Sequence, residues 1–173
     1  MNLKTLVLAV GFSVSLAFAA QAETKVTLKG VHLCCGQCVK IVGTAVSSAG
    51  AKAACDQDAG TVTITAEDEA TAKKAIAAMV KEGFHGTADD EKLAIKDDSG
   101  AGKDKVKRLK LSGAHNCCGN CAKALKEVVT NVDGVTATDV KAKSKSFVVE
   151  GDFSPADLVK ALNGAGFHVK VEK

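Results

Sequence analysis

Gly30-Val31-His32-Leu33-Cys34-Cys35-Gly36-Gln37-Cys38 and Gly113-Ala114-His115-Asn116-Cys117-Cys118-Gly119-Asn120-Cys121 are two versions of one motif. Six of the nine positions are identical, at an offset of 83 residues. Gly83-Phe84-His85 and Gly166-Phe167-His168 repeat at the same offset. Two separated matches at one spacing identify a duplication, each copy being about 70 residues long.

Each copy shows the same succession of patterns. Residues 25–29 alternate, with Val26 and Leu28 on one face, as do Leu109 and Leu111 in the second copy; this is a half-buried strand. The cysteine loop follows. Cys38, Ile41, Val42, Ala45 and Val46 then recur at helical spacing, matched by Cys121, Ala124, Leu125, Val128 and Val129. Two strands are predicted at 51–56 and 61–65, and at 135–141 and 146–150. A second helix carries Ala75, Ile76 and Met79, or Leu158, Val159 and Leu162; Ser154-Pro155 is a start signal for the latter. A last strand is predicted from Phe84 or Phe167. The order βαββαβ gives an α+β, ferredoxin-like fold in two tandem copies: four antiparallel strands with two helices on one face. The domains fall at 23–95 and 106–173, and the charged, Gly-containing stretch 96–105 reads as a flexible linker.

Residues 1–22 read as a secretory signal. Lys4 supplies the positive charge, Leu6 to Ala19 is almost wholly apolar, and Ala20-Gln21-Ala22 offers a small-x-small cleavage pattern. An uncleaved anchor is the competing reading. Export predicts a periplasmic or secreted protein with no membrane span after cleavage. The net charge of +3 and the aromatic content of 3% argue against a nucleic-acid partner. The second copy is the more basic, which suits docking to an acidic partner or simply a solvated charged face.

The chemistry lies in the cysteines, seven in all. Cys35 and Cys38, like Cys118 and Cys121, are i and i+3 at a helix start, so both sulfurs of a pair can reach one ion. A helix N-terminus favours the thiolate that a metal needs. Side chains of adjacent residues diverge in an extended chain, so Cys34 and Cys117, with His32 and His115, are candidates for third and fourth ligands or for partner-facing groups. Thiolates suit Cu(I), and added Cys and His suit Zn(II). The expectation is Cu(I) or Zn(II), one ion per domain.

The loop and the element order together resemble the heavy-metal-associated domain family of copper and mercury chaperones and metal-pumping ATPase tails. The family's two metal cysteines correspond to Cys35 and Cys38, and to Cys118 and Cys121. The Gly-aromatic of its last helix-to-strand turn, close to the metal, corresponds to Gly83-Phe84 and Gly166-Phe167. Here a His and an extra Cys replace the family's Met, and the loop is one residue longer. The resemblance implies a non-enzymatic protein that sequesters or transfers a soft metal. It also implies a metal-transfer protein as partner, a membrane metal transporter among the candidates.

Two readings compete with metal binding. One is a thiol–disulfide redox protein built on the C-x-x-C pairs. The other is an interaction module stapled by disulfides without metal. A dimer bridged by metal through exposed loops is also open. His85 and His168 are expected to be exposed strand residues, because Phe167, Val169 and Val171 take the inward face. Cys55, opposite Thr138 in the repeat, is expected to be a half-buried strand thiol outside the site.

Overall fold

The computed structural model describes residues 23–172; the secretory signal read at residues 1–22 lies outside them. The first half runs β1 (Thr24–Lys29), α1 (Gly36–Ser48), β2 (Lys52–Asp56), β3 (Thr61–Ala66), α2 (Glu69–Lys81) and β4 (Thr87–Ala88). After a 3-10 turn at Glu91–Leu93, the second half repeats the order. It runs β5 (Val106–Ser112), α3 (Gly119–Thr130), β6 (Val135–Thr138), β7 (Ser146–Phe153), α4 (Pro155–Gly164) and β8 (Lys170–Val171).

Each half forms a four-stranded antiparallel sheet, in the orders β2-β3-β1-β4 and β6-β7-β5-β8. The sequence order therefore becomes two ferredoxin-like domains. The strand next to the cysteine loop lies inside its sheet, which gives the loop a rigid base. Val26 pairs with Ile64 and Leu28 with Val62, all fully buried. Leu111 pairs with Phe147 in the second sheet. The predicted helical faces are the buried ones: Val42 and Val46 of α1, Met79 of α2, Leu125 and Val129 of α3, Leu158 and Leu162 of α4. Asp68 caps α2 by accepting from the Thr71 N–H at 2.7 Å. Ser154 caps α4 by accepting from the Asp157 N–H at 3.3 Å, with Pro155 at the first helical position.

The closing strands differ from expectation. They are short, and Phe84 and Phe167 do not begin them. These two residues form an antiparallel bridge with each other, across the two halves. The Gly83 carbonyl accepts from the His115 N–H at 3.1 Å and the His168 N–H at 2.9 Å. The Gly166 carbonyl accepts from the His85 N–H at 2.9 Å. Both glycines have positive φ, +84° and +86°. A Cβ on Gly83 would lie 2.1 Å from the Gly113 carbonyl oxygen, and one on Gly166 would lie 2.3 Å from the His32 nitrogen. Only glycine permits either approach. The domains thus meet through the repeated turn, each turn wedged against the other domain's cysteine loop.

The stretch 96–105 lies along the second domain. The Ser99 carbonyl accepts from the Val171 N–H at 2.8 Å, and the Gly102 carbonyl accepts from the Ala156 N–H at 3.2 Å. Asp98 pairs with Lys170 at 3.0 Å and meets His168 Nε2 at 2.8 Å. Among the described residues, no helix is long and apolar enough to cross a membrane.

Candidate metal centre

The C-x-x-C segments open α1 and α3, with Cys35 and Cys118 as the N-caps in extended backbone. One helical turn later, Cys38 and Cys121 point inward and are fully buried. Cys34 and Cys117 stand on the loops before the helices, half-buried. Because the two turns wedge the loops together, the six thiols that the sequence divides between two sites form one cluster.

The sulfur–sulfur distances define it. Within the first domain, Cys34 lies 3.6 Å and Cys35 3.8 Å from Cys38. Within the second, Cys117 lies 3.7 Å and Cys118 3.8 Å from Cys121. Between domains, Cys34 lies 3.4 Å from Cys121 and 3.9 Å from Cys118, and Cys38 lies 3.9 Å from Cys117. Two sulfurs bound to one ion at about 2.3 Å with tetrahedral angles are about 3.8 Å apart. These spacings would let one ion take thiolates from one domain or from both. All seven cysteines are free thiols. Cys55 lies on β2 away from the cluster, and burial raises its thiol above the usual value.

Two imidazoles complete the set. His115 is 6% exposed and stacks on Phe84 of the first domain, centroids 3.9 Å apart. His32 packs on Phe167 of the second, at 4.3 Å. His115 Nδ1 lies 3.3 Å from the Glu82 carbonyl oxygen and donates to it, which leaves Nε2 as the lone-pair nitrogen. Nε2 of both residues is buried without a hydrogen-bond partner. A buried, unpaired imidazole nitrogen costs free energy that a metal bond would offset. One ligand atom each from His115, Cys38, Cys117 and Cys121 lie within 4.8 Å of one another, as do those of His32, Cys34 and Cys121. Each histidine therefore joins a group that includes a helix cysteine of the other domain.

Crowding controls the protons. Burial raises the Cys34 thiol above its normal range and pushes Cys117 up to about 12. The central pair shares one charge: Cys38 is raised by its hydrogen bond to Cys121, and Cys121 is lowered by the same bond. Cys35 moves the other way, down to about 7. The N–H of Cys38 is the main cause, with that of Gln37 adding to it, although neither caps the sulfur with a full hydrogen bond. Six crowded thiols cannot all ionise alone, whereas cations among them would displace the protons.

Sequence reasoning placed the eight candidate ligands in two groups, and the structure brings the two groups together. It singled out Phe84 and Phe167 near the metal but not their hold on the imidazoles of the opposite domain, and it missed Glu82, whose carbonyl meets His115. The repeated Gly-Phe-His was visible, but not what it touches. His85 and His168 are not the exposed residues expected. His168 is 4% exposed, and the two Nδ1 atoms lie 3.3 Å apart across the interface.

Residues 111–168 match the model of the heavy-metal-associated domain. An uncharacterized protein of Haemophilus influenzae is 35% identical over 65 residues, which are 36% of this chain and 93% of that protein. Protein SODIUM POTASSIUM ROOT DEFECTIVE 3 of Arabidopsis thaliana is 28% identical over 99 residues, 57% of this chain; the match spans only 38% of that relative. Among solved structures, oxidized MerP from Ralstonia metallidurans CH34 is 28% identical, with 39% of this chain and 97% of that chain covered, at a TM-score of 0.37. Through residues 111–168, this chain belongs to the heavy-metal-associated domain family.

Proposed function

We propose that this is an exported soft-metal-binding protein that sequesters Cu(I) or Zn(II), or passes it to a partner protein such as a membrane metal transporter. It is a binding module and not a catalyst. In this reading the first domain, with its matching motif and topology, is a second copy of the heavy-metal-associated domain. The observation that carries the reading is the convergence of six thiols with two buried Nε2 atoms that lack partners. Thiolate and imidazole are the donor set that Cu(I) and Zn(II) select over harder ions.

The arrangement also supplies a route for transfer. Cys35 and Cys118 are half-buried N-cap residues at the rim, whereas Cys38 and Cys121 are enclosed. Cys35, poised near neutrality, is the thiolate most readily presented to an incoming ligand. A partner thiolate would join the ion before a resident sulfur leaves, so the ion is never bare.

The test is intact mass under native conditions. Reduced, metal-free protein is given Cu(I) or Zn(II) in turn. Metal retained by the chain and lost when all six loop cysteines become serine is expected. No bound ion with either metal, together with fast exchange with a disulfide reagent, would overturn the reading in favour of redox chemistry.

A further inference from the structure

We propose that the six loop thiols form one cluster of four Cu(I) ions across the domain interface, not one site per domain. This rests on the soft-metal reading above and adds the number of ions, their sharing and their place. Cys38, Cys117 and Cys121 form one close triad; Cys34, Cys35 and Cys38 form a second; Cys35, Cys117 and Cys118 form a third. Cys34 and Cys121 make a fourth with Cys118, which lies 3.9 Å from one and 3.8 Å from the other. Each of the six thiols then belongs to two of the four triads.

That connectivity is an octahedron of sulfurs with alternate faces available to metal. The pairs that share no triad are Cys34 with Cys117, Cys35 with Cys121, and Cys38 with Cys118. They are the opposite vertices, and each takes one thiol from each domain. The seven sulfur–sulfur contacts given above all run between thiols that do share a triad.

Cu(I) fits these faces. It is a soft ion that accepts three thiolates in a plane. Four such ions need twelve metal–sulfur bonds, and six thiolates bridging two ions each supply twelve. Zn(II) asks for four donors per ion and leaves this bridging pattern unfilled. Loading is a proton-for-metal exchange with no change of oxidation state: six thiols release six protons to solvent, and four Cu(I) enter. The core keeps two negative charges. The N-termini of α1 and α3 both open onto it, each contributing about half a positive charge. His115 adjoins the face of Cys38, Cys117 and Cys121, and His32 adjoins Cys34 and Cys121, one edge of the fourth face.

Cu(I) is titrated into the reduced, metal-free chain without oxygen and followed by native mass and X-ray absorption. The expected result is metal-free and four-copper species with little between them, and a copper–copper scattering shell. Two coppers filling one at a time, with no such shell, would overturn the cluster and leave the soft-metal reading standing. No copper at all would overturn both. The double variant C35S/C38S discriminates further. Independent sites keep the second loop's ion, so capacity halves; the shared cluster loses three of its four triads, so the four-copper species disappears with at most one ion left. C117S, a single change on a half-buried loop, covers the case in which the double variant does not fold. It too should abolish the four-copper species, and persistence of that species would overturn the proposal.

Discussion

Leu33 and Asn116 occupy the same place in the two cysteine loops, and they hold those loops by different forces. Leu33, 4% exposed, is packed into the apolar core of the first domain. Asn116 donates from Nδ2 to the Lys141 and Ser144 carbonyls at 2.8 and 3.2 Å, and its own carbonyl accepts from the Lys143 N–H at 3.1 Å. One loop is anchored by desolvation, the other by hydrogen bonds to the β6–β7 connection. The cores differ in the same sense. The first is aliphatic apart from Phe84 and runs on into the thiols of both loops, Cys38 and Cys121 included. The second is built on Phe147, Phe153 and Phe167 and stops short of them. A repeated site thus constrains where the sulfurs arrive, not how each loop is supported. The first domain depends more on the cluster for its cohesion.

The exchanged aromatic rings carry the largest difference between the two cores. Phe84 and Phe167 are both fully buried, each against the other domain's histidine. Phe84→Ala and Phe167→Ala should each cost about 3–5 kcal/mol. Phe84→Ala should lie at the upper end, because the first domain has no other phenylalanine to redistribute packing. Denaturant midpoints measure this. Equal losses would show that the two cores share the load evenly.

The next effect down is at the anchors. Leu33→Ala removes buried methyl groups and leaves a cavity, at a cost of roughly 2–4 kcal/mol. Asn116→Ala leaves two carbonyls that lie near enough to the surface for water to reach, and should cost about 1–2 kcal/mol. Thermal unfolding of the two variants checks the order. A larger loss for Asn116→Ala would mean that hydrogen bonding, not apolar packing, is the stronger loop anchor.

The elements were legible in the sequence because each repeats a local rule. Alternation at Val26 and Leu28, helical spacing from Cys38 to Val46, and the Ser154-Pro155 start are all properties of one segment at a time. The meeting of the domains was not legible, because its contacts have no periodicity. The Gly83 carbonyl bonding to the His115 and His168 amides is a backbone event with no side-chain signature. Phe84 and Phe167 read as the start of a strand, and they are extended, but their partner is each other. Alternation specifies which way a residue faces and says nothing about what covers it, which is why His168 read as exposed. The adjacent cysteines carry a similar lesson. Divergence of Cys34 from Cys35 argues against both serving one ion, yet both sulfurs close on Cys38; the divergence shows only in their further neighbours, Cys118 and Cys121 for Cys34 and Cys117 and Cys118 for Cys35.

The smallest expected effect tests the second pair that joins the domains, His85 and His168, where the two halves again differ. His168 has Asp98 at 2.8 Å from Nε2, while His85 faces the His168 ring and has only Asp97 as a more distant acidic influence. Burial, then the neighbouring His168, lowers the His85 imidazole to about 4, with Asp97 opposing. A histidine lowered in the folded state binds its proton more readily when unfolded, so its contribution is complete above the unfolded value of about 6.5. It is lost as pH falls from there through 4. Asp97 and Asp98 are lowered carboxylates, by Ser99 and by Lys170 respectively. Their contributions are lost only at still lower pH, so the window between 6.5 and 4 separates the histidine from both carboxylates and leaves the lowered thiol of Cys121 as the competing group. The Tm of metal-free protein should fall by several degrees across that window, and His85→Gln should flatten the fall while leaving the more acidic limb in place. An unchanged slope in His85→Gln would move the pH sensitivity away from this pair and onto the thiol cluster.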